Sequence, residues 1–382
     1  MKASRVTEAD AIVIGGGIAG LSLAARLATR MKVIVLEAEE APGCHSSGRS
    51  VAFAHFGLGE RIVRTLTAAS LAEFREMTGP SGAPIANVHP ALHIAREDEG
   101  ETFDALADVH ERFGARFERL DQAGIRECAP VLKTGPEAAH SAILDIGSLK
   151  LDTDAMLQRH LADLRTNAGS LVTRAPVLSI VQDAGLWSLE TPVGAFQAPR
   201  LINAAGAWAD EIALQAGVAA IGLEPRRRTV IGFAAPEGVD VSRWPFIKTV
   251  VDGFYILPEG TSRLLASPMD QTPSVPCDAA PEELDMAIAA DRVIKATSLS
   301  IRRIEHSWAG LRSFAPDERP VVGESSGAPG FFWFAGQGGY GFQTSAALAR
   351  IGEAAVLGKE WPEDITAAGI QPGDLSPGRF SV

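Results

Sequence analysis

The sequence predicts an α/β protein that combines a parallel-sheet domain with an inserted α+β domain containing a mixed sheet. A strand–helix–strand pattern fills residues 11–36, and such a unit needs a parallel sheet. A second strand, glycine turn and helix occupies residues 330–358 near the other end of the chain. The residues between them mix short strands with helices and show no repeat. The parallel sheet is therefore expected to be assembled from separate pieces of the chain.

The first unit begins with a buried strand at residues 11–14, continues with a helix at residues 18–29 and ends with a buried strand at residues 32–36. Its apolar run could be mistaken for a secretory signal, but Glu8 and Asp10 stand directly before it. A signal of that kind is cleaved, and cleavage would remove the glycine-rich turn of this unit. We therefore expect the run to be folded structure.

The next elements are mainly helices. Helical periodicity covers residues 60–78 and 103–113. Asp152 or Thr153 can cap a third helix that runs to about residue 167, because its side-chain oxygen can accept the unpaired N–H groups of the first turn. Residues 171–201 follow as several strands separated by turns.

Further strands are predicted within residues 223–268, which contain many β-branched and aromatic residues. Residues 281–297 follow as a helix with a proline at its start. Glycine-rich or small-residue turns that could approach a nucleotide, described below, lie at both ends and in the middle of the chain. The segments between them lack such turns. The predicted cofactor domain comprises residues 1–85, 142–222 and 310–382, and the predicted substrate domain comprises residues 86–141 and 223–309.

Composition excludes several classes of protein. The chain has 382 residues, 46% of them hydrophobic, and a formal net charge of −12 without a basic stripe, so a nucleic acid partner is not expected. Cys44, Cys128 and Cys277 are widely separated and suggest neither a disulfide framework nor a metal site. No other segment has 18 uninterrupted apolar residues, so no transmembrane segment is expected. A reducing, cytoplasmic location is the prediction.

A glycine motif joins the first strand to the first helix. "VIGGGIAG" places Gly15, Gly17 and Gly20 in a GxGxxG pattern. Gly15 permits the tight turn, Gly17 lets the backbone approach a pyrophosphate, and Gly20 lets the helix pack on the strand. Glu37 ends the second strand, at the spacing of a residue that binds a ribose hydroxyl. Together these features predict a Rossmann-like nucleotide site.

Two further segments favour FAD over NAD. "RLINAAGAWAD" at residues 200–210 is a strand that ends in small residues, which allow backbone to approach a ligand closely. "FAGQGGYGFQTSAALA" at residues 334–349 is a strand, glycine turn and helix. The start of that helix could stabilise the negative charge of a reduced flavin. The alternative is a tight turn that serves packing alone.

The stretch "HSSGRSVAFAHFGLG" at residues 45–59 changes character halfway. Its first half is small, polar and cationic, as suits a loop along a phosphate or a ring edge. Its second half carries Phe53, His55, Phe56 and Leu58, which either pack in the core or face a substrate.

The motifs resemble one family along nearly the whole chain. They are "GCHSSGRS", "LTAAS", "LDTDAM", "NAAGAW", "RRRTV", "WAGLRSF" and "AGQGGYGFQTSAA". The sequence is similar to the D-amino-acid oxidase (DAO, glutathione-reductase-2-like) family of flavoproteins, and within it to the bacterial D-arginine dehydrogenases. This resemblance implies a two-domain fold and oxidation of an amine carbon by hydride transfer to FAD N5. The imino acid product would hydrolyse to a 2-oxo acid and ammonia.

The resemblance also implies roles for particular residues. Arg312 and Tyr255 match carboxylate-binding residues, Arg228 matches a further substrate-site arginine, and Gly339 and Gln343 match residues beside the flavin. Arg312 follows an apolar run, where a guanidinium is hard to bury without an anionic partner. That partner is either the substrate carboxylate or a carboxylate of the protein in a structural salt bridge. Arg228 is either a substrate-site residue or exposed on the surface. The expected FAD contacts are Gly15, Gly17, Ile18, Ala19, Gly20, Glu37, Ala38, His45, Ser46, Ser47, Arg49, Ser50, Val51, Val177, Ala205, Gly206, Trp208, Arg312, Gly338, Gly339, Tyr340, Gly341, Phe342, Gln343 and Thr344. No cysteine lies where related enzymes attach their flavin, so FAD is expected to be non-covalent.

The chain departs from the D-arginine dehydrogenases at the substrate. Phe53 stands where those enzymes have an active-site histidine, Leu58 where they have a loop tyrosine, and His55 where they have a threonine. Ala91 or a near neighbour replaces the glutamate that receives their basic substrate side chain. An unpaired guanidinium in an apolar pocket is costly, so we expect a small or apolar D-amino acid or a related secondary amine acid. Phe53 and Leu58 could instead be core residues.

Two other functions stay open at this point. One is oxidation of a 2-hydroxy acid, which needs a base, His55 or His45 being the candidates. The other is a catalytically silent flavin-binding subunit. Oxygen and a quinone are both possible electron acceptors, and a monomer and a small homo-oligomer both fit the sequence.

Overall fold

The computed structural model describes residues 6–251 and 253–380. Its first layer is a six-stranded sheet whose centre is the predicted strand Ala11–Ile14, parallel to both of its neighbours. The only antiparallel pair within this sheet is at one edge. In spatial order the strands are Gly169–Val172, Val33–Leu36, Ala11–Ile14, Leu201–Asn203, Phe331–Ala335 and Val321–Glu324. The sheet is thus built from three separate stretches of the chain, residues 11–36, 169–203 and 321–335, as the discontinuous pattern predicted.

Helices cover one face of this sheet and bury a shared apolar core with it. Ile18–Leu27 lies between Thr153–Thr166 and Gly341–Leu357, and Arg61–Glu76 packs on Gly341–Leu357. The long helix stops at Gly358, whose left-handed backbone (φ 63°) suits a residue without a Cβ. The opposite face of the sheet packs against the four-stranded sheet Thr7–Glu8, Gly194–Ala198, Leu186–Thr191 and Ser179–Asp183.

The second layer is a nine-stranded mixed sheet. In spatial order its strands are Thr272–Pro273, Glu224–Ala234, Arg263–Ser267, Tyr255–Glu259, Phe246–Thr249, Ala91–Ala95, Ser141–Asp145 and Phe117–Leu120, with His306–Phe314 also paired to Glu224–Ala234. Residues 142–145 and 310–314 belong to strands of this sheet, although the predicted boundaries gave them to the cofactor domain. The division into domains itself stays a prediction.

The remaining strands form a three-stranded sheet of Phe53–Ala54, Leu149–Leu151 and Ala86–Val88. Several shorter or peripheral helices complete the described structure. They are Gly100–Arg112, Gln122–Cys128, Ala209–Gln215, Glu283–Ala296, Glu363–Ala367 and Pro372–Leu375, and the 3₁₀ turns Glu97–Glu99, Gly206–Trp208 and Pro377–Phe380. Within residues 6–251 and 253–380, no helix has the length and apolar character needed to span a bilayer.

The predicted fold class, a Rossmann-like sheet with an additional mixed-sheet region, is confirmed. Element ends differ by a few residues. Asp152 caps the helix Thr153–Thr166, because its Oδ1 accepts a hydrogen bond from the Ala155 N–H at 2.9 Å. The helix expected from residue 281 begins instead at Glu283, since Pro281 lies one residue before the N-cap.

Candidate active site

The glycine turn brings three parts of the chain into contact. Gly15 has φ +108°, and a Cβ built on it would stand 2.4 Å from the Ala204 carbonyl oxygen. A Cβ on Gly20 would stand 1.9 Å from the carbonyl oxygen of Gly15. Neither position has room for a side chain. Gly20 serves the packing of helix on strand, which is the role that its place in the motif predicts.

A cavity of about 680 Å³ opens above this turn, at the carboxyl ends of the parallel strands. Its volume lies in the range of cofactor sites. Most of the expected FAD contacts line it: Gly15, Gly17, Ile18, Ala19, Glu37, Ala38, His45, Ser46, Ser47, Arg49, Ser50, Val51, Val177, Ala205, Gly206, Trp208, Arg312, Gly338, Gly339, Gly341 and Phe342. Gln337, Glu211 and Gln215 also line the cavity, but they were not among the expected FAD contacts. Gln337 lies within a quoted motif and was not singled out there. Glu211 and Gln215 follow "NAAGAW" on the next helix.

Glu37 is held rigidly at the end of its strand. Its Oε2 accepts a hydrogen bond from the Gly16 N–H at 2.7 Å, and its Oε1 accepts one from the Glu39 N–H at 2.9 Å. Ser47 Oγ accepts a hydrogen bond from the Ile18 N–H at 2.9 Å. The carboxylate and the start of the first helix thus have fixed positions on the cavity wall.

The polar half of the loop at residues 45–59 is fastened to the strand that carries Arg312. Ser46 Oγ donates to the Leu311 carbonyl at 2.5 Å, and Arg49 Nη1 donates to the Ala309 carbonyl at 2.9 Å. The Trp308 indole N–H donates to the Arg49 carbonyl at 3.0 Å. The loop therefore joins the two sheets along one side of the cavity.

A second cavity, of about 220 Å³, adjoins the first. Arg228, Arg312 and Gly339 line both cavities, whereas Tyr255 lines only the first. Arg228 is buried, and its Nε donates to the Asp270 carbonyl oxygen at 2.7 Å while lying 3.7 Å from the carboxylate of that residue. The alternative of a surface-exposed Arg228 is therefore wrong. Arg312 is half-buried and stands where the two cavities meet.

A protein-family model described as FAD dependent oxidoreductase matches residues 10–353. The chain belongs to this family. The predicted family and its FAD cofactor are confirmed, and the first cavity fits that cofactor, because it combines the glycine turn, the anchored Glu37 carboxylate and exposed backbone of a helix start.

Sequence relatives cover most of this chain. Mitochondrial dimethylglycine dehydrogenase of Mus musculus is 25% identical over 98% of this chain and 44% of its own length. The chain thus spans less than half the length of the dimethylglycine dehydrogenases it matches. Glycine oxidase of Geobacillus kaustophilus is 27% identical over 86% of this chain and 87% of its own. The crystal structure of glycine oxidase from Geobacillus kaustophilus has a TM-score of 0.80 at 20% identity, over 98% of this chain and 99% of that one, which shows the shared fold.

The residues in the apolar half of the loop have different surroundings and do not all face a cavity. Leu58 lines the second cavity. Phe53 lines neither cavity; it is buried in the three-stranded sheet and stacks on Phe246 with ring centroids 4.6 Å apart. A direct role for Phe53 in substrate contact is therefore not supported, because its ring is occupied by core packing.

His55 is also absent from the lining of both cavities. It is buried, and its Nδ1 accepts a hydrogen bond from the Gly57 N–H at 3.1 Å. Burial, reinforced by the charge of Lys248, lowers the pKa of His55 to about 3. A catalytic His55 is not supported, since a base must reach the proton it removes and have a suitable pKa. His45, the other candidate base, is on the wall of the first cavity, where its Nε2 lies 2.9 Å from Glu39 Oε1.

Three expected FAD contacts at the end of the chain are turned into the protein. Gln343 Nε2 donates to Thr67 Oγ1 at 2.9 Å, and Thr344 Oγ1 donates to the Tyr340 carbonyl at 2.8 Å. The Tyr340 hydroxyl donates to the Glu318 carbonyl, and Tyr340 lines only the second cavity. These side chains hold the start of the helix Gly341–Leu357 in place, while the glycines before it face the first cavity.

Proposed function

We propose that the protein oxidises the Cα–N bond of a small, non-basic α-amino acid or N-substituted glycine, using non-covalently bound FAD. The observation that carries the proposal is Arg312, which lies between the cofactor cavity and a second cavity of substrate size. Guanidinium groups bind carboxylates by paired hydrogen bonds. A carboxylate held at Arg312 would lie beside the cofactor. A D-amino acid is the stereochemistry that the sequence resemblance implies.

The names of the relatives agree with this substrate class. Glycine and dimethylglycine are both α-amino acids with a free carboxylate, and glycine oxidases and dimethylglycine dehydrogenases are among the sequences this chain matches. A carboxylate anchor serves every such substrate, whichever groups its nitrogen bears. This supports amine oxidation and does not choose among individual amino acids.

The protein residues act by binding and orientation. Arg312 binds the carboxylate, Tyr255 supports it from another strand of the same sheet, and Arg228 lies on the same wall. Fixing the carboxylate turns the Cα–H bond towards the cofactor cavity, and such positioning removes much of the barrier. When bound, FAD supplies the acceptor for the hydride that leaves Cα.

Proton balance does not require a strongly basic side chain. Forming the imine removes a hydride from Cα and a proton from nitrogen, and the proton can leave to water before the amine is oxidised. Water then hydrolyses the released imino acid to a 2-oxo acid and ammonia, or to a 2-oxo acid and the corresponding amine when the substrate is an N-substituted glycine. His55 takes no part, because it is buried and lines neither cavity.

The site disfavours basic substrates. Ala91 is fully buried in the mixed sheet, so that position supplies no carboxylate for a guanidinium. Arginine and lysine of either configuration are therefore expected to be poor substrates. A cytoplasmic location and reoxidation by oxygen or a quinone stay predictions from the sequence.

Anaerobic flavin reduction tests the proposal. The purified holoprotein should lose its yellow colour with glycine, N-methylglycine or alanine. It should release ammonia from glycine and alanine, and methylamine from N-methylglycine. Arg312→Ala should raise the apparent KM roughly 10- to 150-fold, since a hydrogen bond to a charged group contributes about 1.5–3 kcal/mol, while the FAD content is unchanged. Arg126→Ala, at an exposed arginine on the mixed-sheet side, is the control. Wild-type kinetics in Arg312→Ala would remove Arg312 from the substrate site.

A further inference from the structure

We infer that Arg292, which lines neither of the two cavities, sets the size selectivity of the substrate site by holding Met269 in the second cavity. Arg292 is a positioning residue in this assignment, and Met269 is the residue that limits substrate length. The inference rests on the proposed function, because it takes the substrate carboxylate to be held at Arg312. The rest of a short substrate then extends into the second cavity and meets Met269.

Met269 lies in a bulge of the mixed sheet. Two residue pairs of the antiparallel ladder enclose this bulge, Ile231 with Ala266 and Arg227 with Thr272. Between those pairs, the five residues 267–271 lie opposite only the three residues 228–230. Bulges of this kind turn a side chain out of the regular alternation of a strand and are common beside active sites.

The backbone of Met269 is in the left-handed region, with φ +56°. Residues that have a Cβ rarely adopt this conformation, whereas glycine adopts it freely. Met269 is nevertheless buried and lines the second cavity. A backbone conformation that suits glycine thus presents a long side chain to the substrate space. Such a conformation persists only where the surrounding structure fixes the residue.

Hydrogen bonds from neighbouring groups fix the bulge on both sides of Met269. Ser267 Oγ accepts a hydrogen bond from the Met269 N–H at 3.1 Å. The Asp270 carboxylate accepts one from the Thr229 N–H at 2.8 Å and another from the Thr229 hydroxyl at 3.1 Å. These contacts attach the bulge to itself and to the strand that it faces.

Arg292 joins two chain segments beside the second cavity. It lies on the helix that packs on this part of the sheet. Its Nη1 donates to the carbonyl oxygens of both Gly253 and Pro268. The strand pairing on this side ends at the pair Tyr255 and Ser267. One guanidinium nitrogen therefore bridges the two segments just beyond their last residue pair.

The Arg292 contact acts directly on the strained residue. The Pro268 carbonyl belongs to the peptide group that leads into Met269, so its hydrogen bond fixes one side of the left-handed turn. A methionine side chain is flexible and depends on its backbone to keep its place. Without Arg292 the bulge can relax, and the thioether leaves the cavity wall. Loss of Arg292 should therefore loosen the size limit, although no group that contacts the substrate has been removed.

A series of unbranched amino acids tests the inference. Alanine, 2-aminobutyrate, norvaline and norleucine, each as both enantiomers, are compared by kcat/KM for anaerobic flavin reduction. The holoprotein should prefer alanine to norleucine about tenfold or more. Arg292→Met and Met269→Ala should each remove most of that preference. Arg292→Lys should keep most of it, because an ammonium can also donate to two carbonyls.

Arg159→Met is the matched control. Arg159 is also half-buried and donates to a backbone carbonyl, that of Thr78 at 3.0 Å, but it lines neither cavity. The preference for alanine should be unchanged in this variant. A merely structural Arg292 would likewise lower the melting temperature and affect all substrates alike, without changing the preference.

Two further variants isolate the route through Met269. Arg292→Met should have no additional effect on the preference in a Met269→Ala background, since the two changes act through one side chain. Met269→Gly keeps the backbone without strain and should fold even where Met269→Ala does not. It should also lose the preference.

A binding measurement separates the size limit from catalysis. Acetate and pentanoate have no amine to oxidise, and titration calorimetry of the holoprotein should show that Met269→Gly and Arg292→Met both favour pentanoate relative to the wild type. A wild type without a preference for alanine, or an unchanged preference in either variant, would overturn the inference. Absence of flavin reduction by every amine would instead overturn the proposed function.

Discussion

The guanidinium of Arg312 lies against the backbone of Gly339. A Cβ built on Gly339 would stand 2.7 Å from Nη1 and 2.9 Å from Cζ of Arg312, closer than real Cβ atoms come to other heavy atoms. Both residues line both cavities. The absence of a side chain at Gly339 thus sets the position of the arginine that we propose to anchor the substrate.

Gly339→Ala should move the Arg312 guanidinium away from its place between the cavities. We expect KM for the amino acid to rise roughly tenfold or more, equivalent to ~1.4 kcal/mol of lost binding, with smaller effects on the melting temperature. Steady-state kinetics and a thermal melt of the same preparation measure both. Gly373→Ala is the matched control, because a Cβ there meets nothing within 4 Å. Equal kinetics for the two variants would show that Arg312 does not depend on Gly339.

Buried histidines should make the folded protein sensitive to acid. Burial lowers the pKa of His55 to about 3 and that of His160 to about 4, from about 6.5 in an unfolded chain. Between these values the unfolded state binds more protons than the folded state, so the free energy of unfolding falls as pH decreases from about 6.5 towards 4 and is unaffected by these groups above it.

Urea unfolding at pH 7.5, 6 and 5 measures this dependence. His160→Leu should reduce the pH slope, because the helix Thr153–Thr166 then carries no buried group that must take up a proton. His140→Leu, at a half-buried histidine directly before the strand Ser141–Asp145, is the control. A slope that is the same in His160→Leu as in the wild type would contradict the assignment.

Phe53 and Leu58 should respond differently to truncation, although both belong to one loop. Phe53→Ala removes a buried ring that stacks on Phe246, and such a change costs about 3–5 kcal/mol of stability. Leu58→Ala alters the lining of the second cavity and should change the relative kcat/KM of small and larger substrates. Chemical denaturation and a substrate series measure the two effects. A specificity change in Phe53→Ala without a loss of stability would restore Phe53 to the substrate site.

The sequence was a good guide to the cofactor side of the molecule. Strand, turn and glycine positions are set by local steric rules, and the space at Gly15 and Gly20 agrees with the roles that the GxGxxG motif predicts. Four expected FAD contacts do not line the first cavity: Gly20, Tyr340, Gln343 and Thr344. Gln343 and Thr344 lie in the first turn of a helix. Helical rotation turns their side chains away from the cavity, which a motif alone does not show.

The substrate side could be predicted only in part. The sequence drew attention to Phe53 and His55, but their surroundings depend on Phe246 and Lys248, which lie on a strand far away in the sequence. Lys248 belongs to no motif, and only the pairing with Tyr255 brings it to the second cavity. Strand register in a mixed sheet is a long-range property, so the lining of that cavity was not visible in the residues of the loop.

The shared wall of the two cavities makes their occupants thermodynamically interdependent. Arg228, Arg312 and Gly339 face both spaces, so a carboxylic acid in the smaller space changes the field and packing that the cofactor experiences in the larger one. Linkage requires the effect to be reciprocal: whatever factor the acid adds to cofactor affinity, the cofactor adds to acid affinity. Retention of the flavin in the presence of different carboxylic acids should therefore rank how well each acid binds in the smaller cavity.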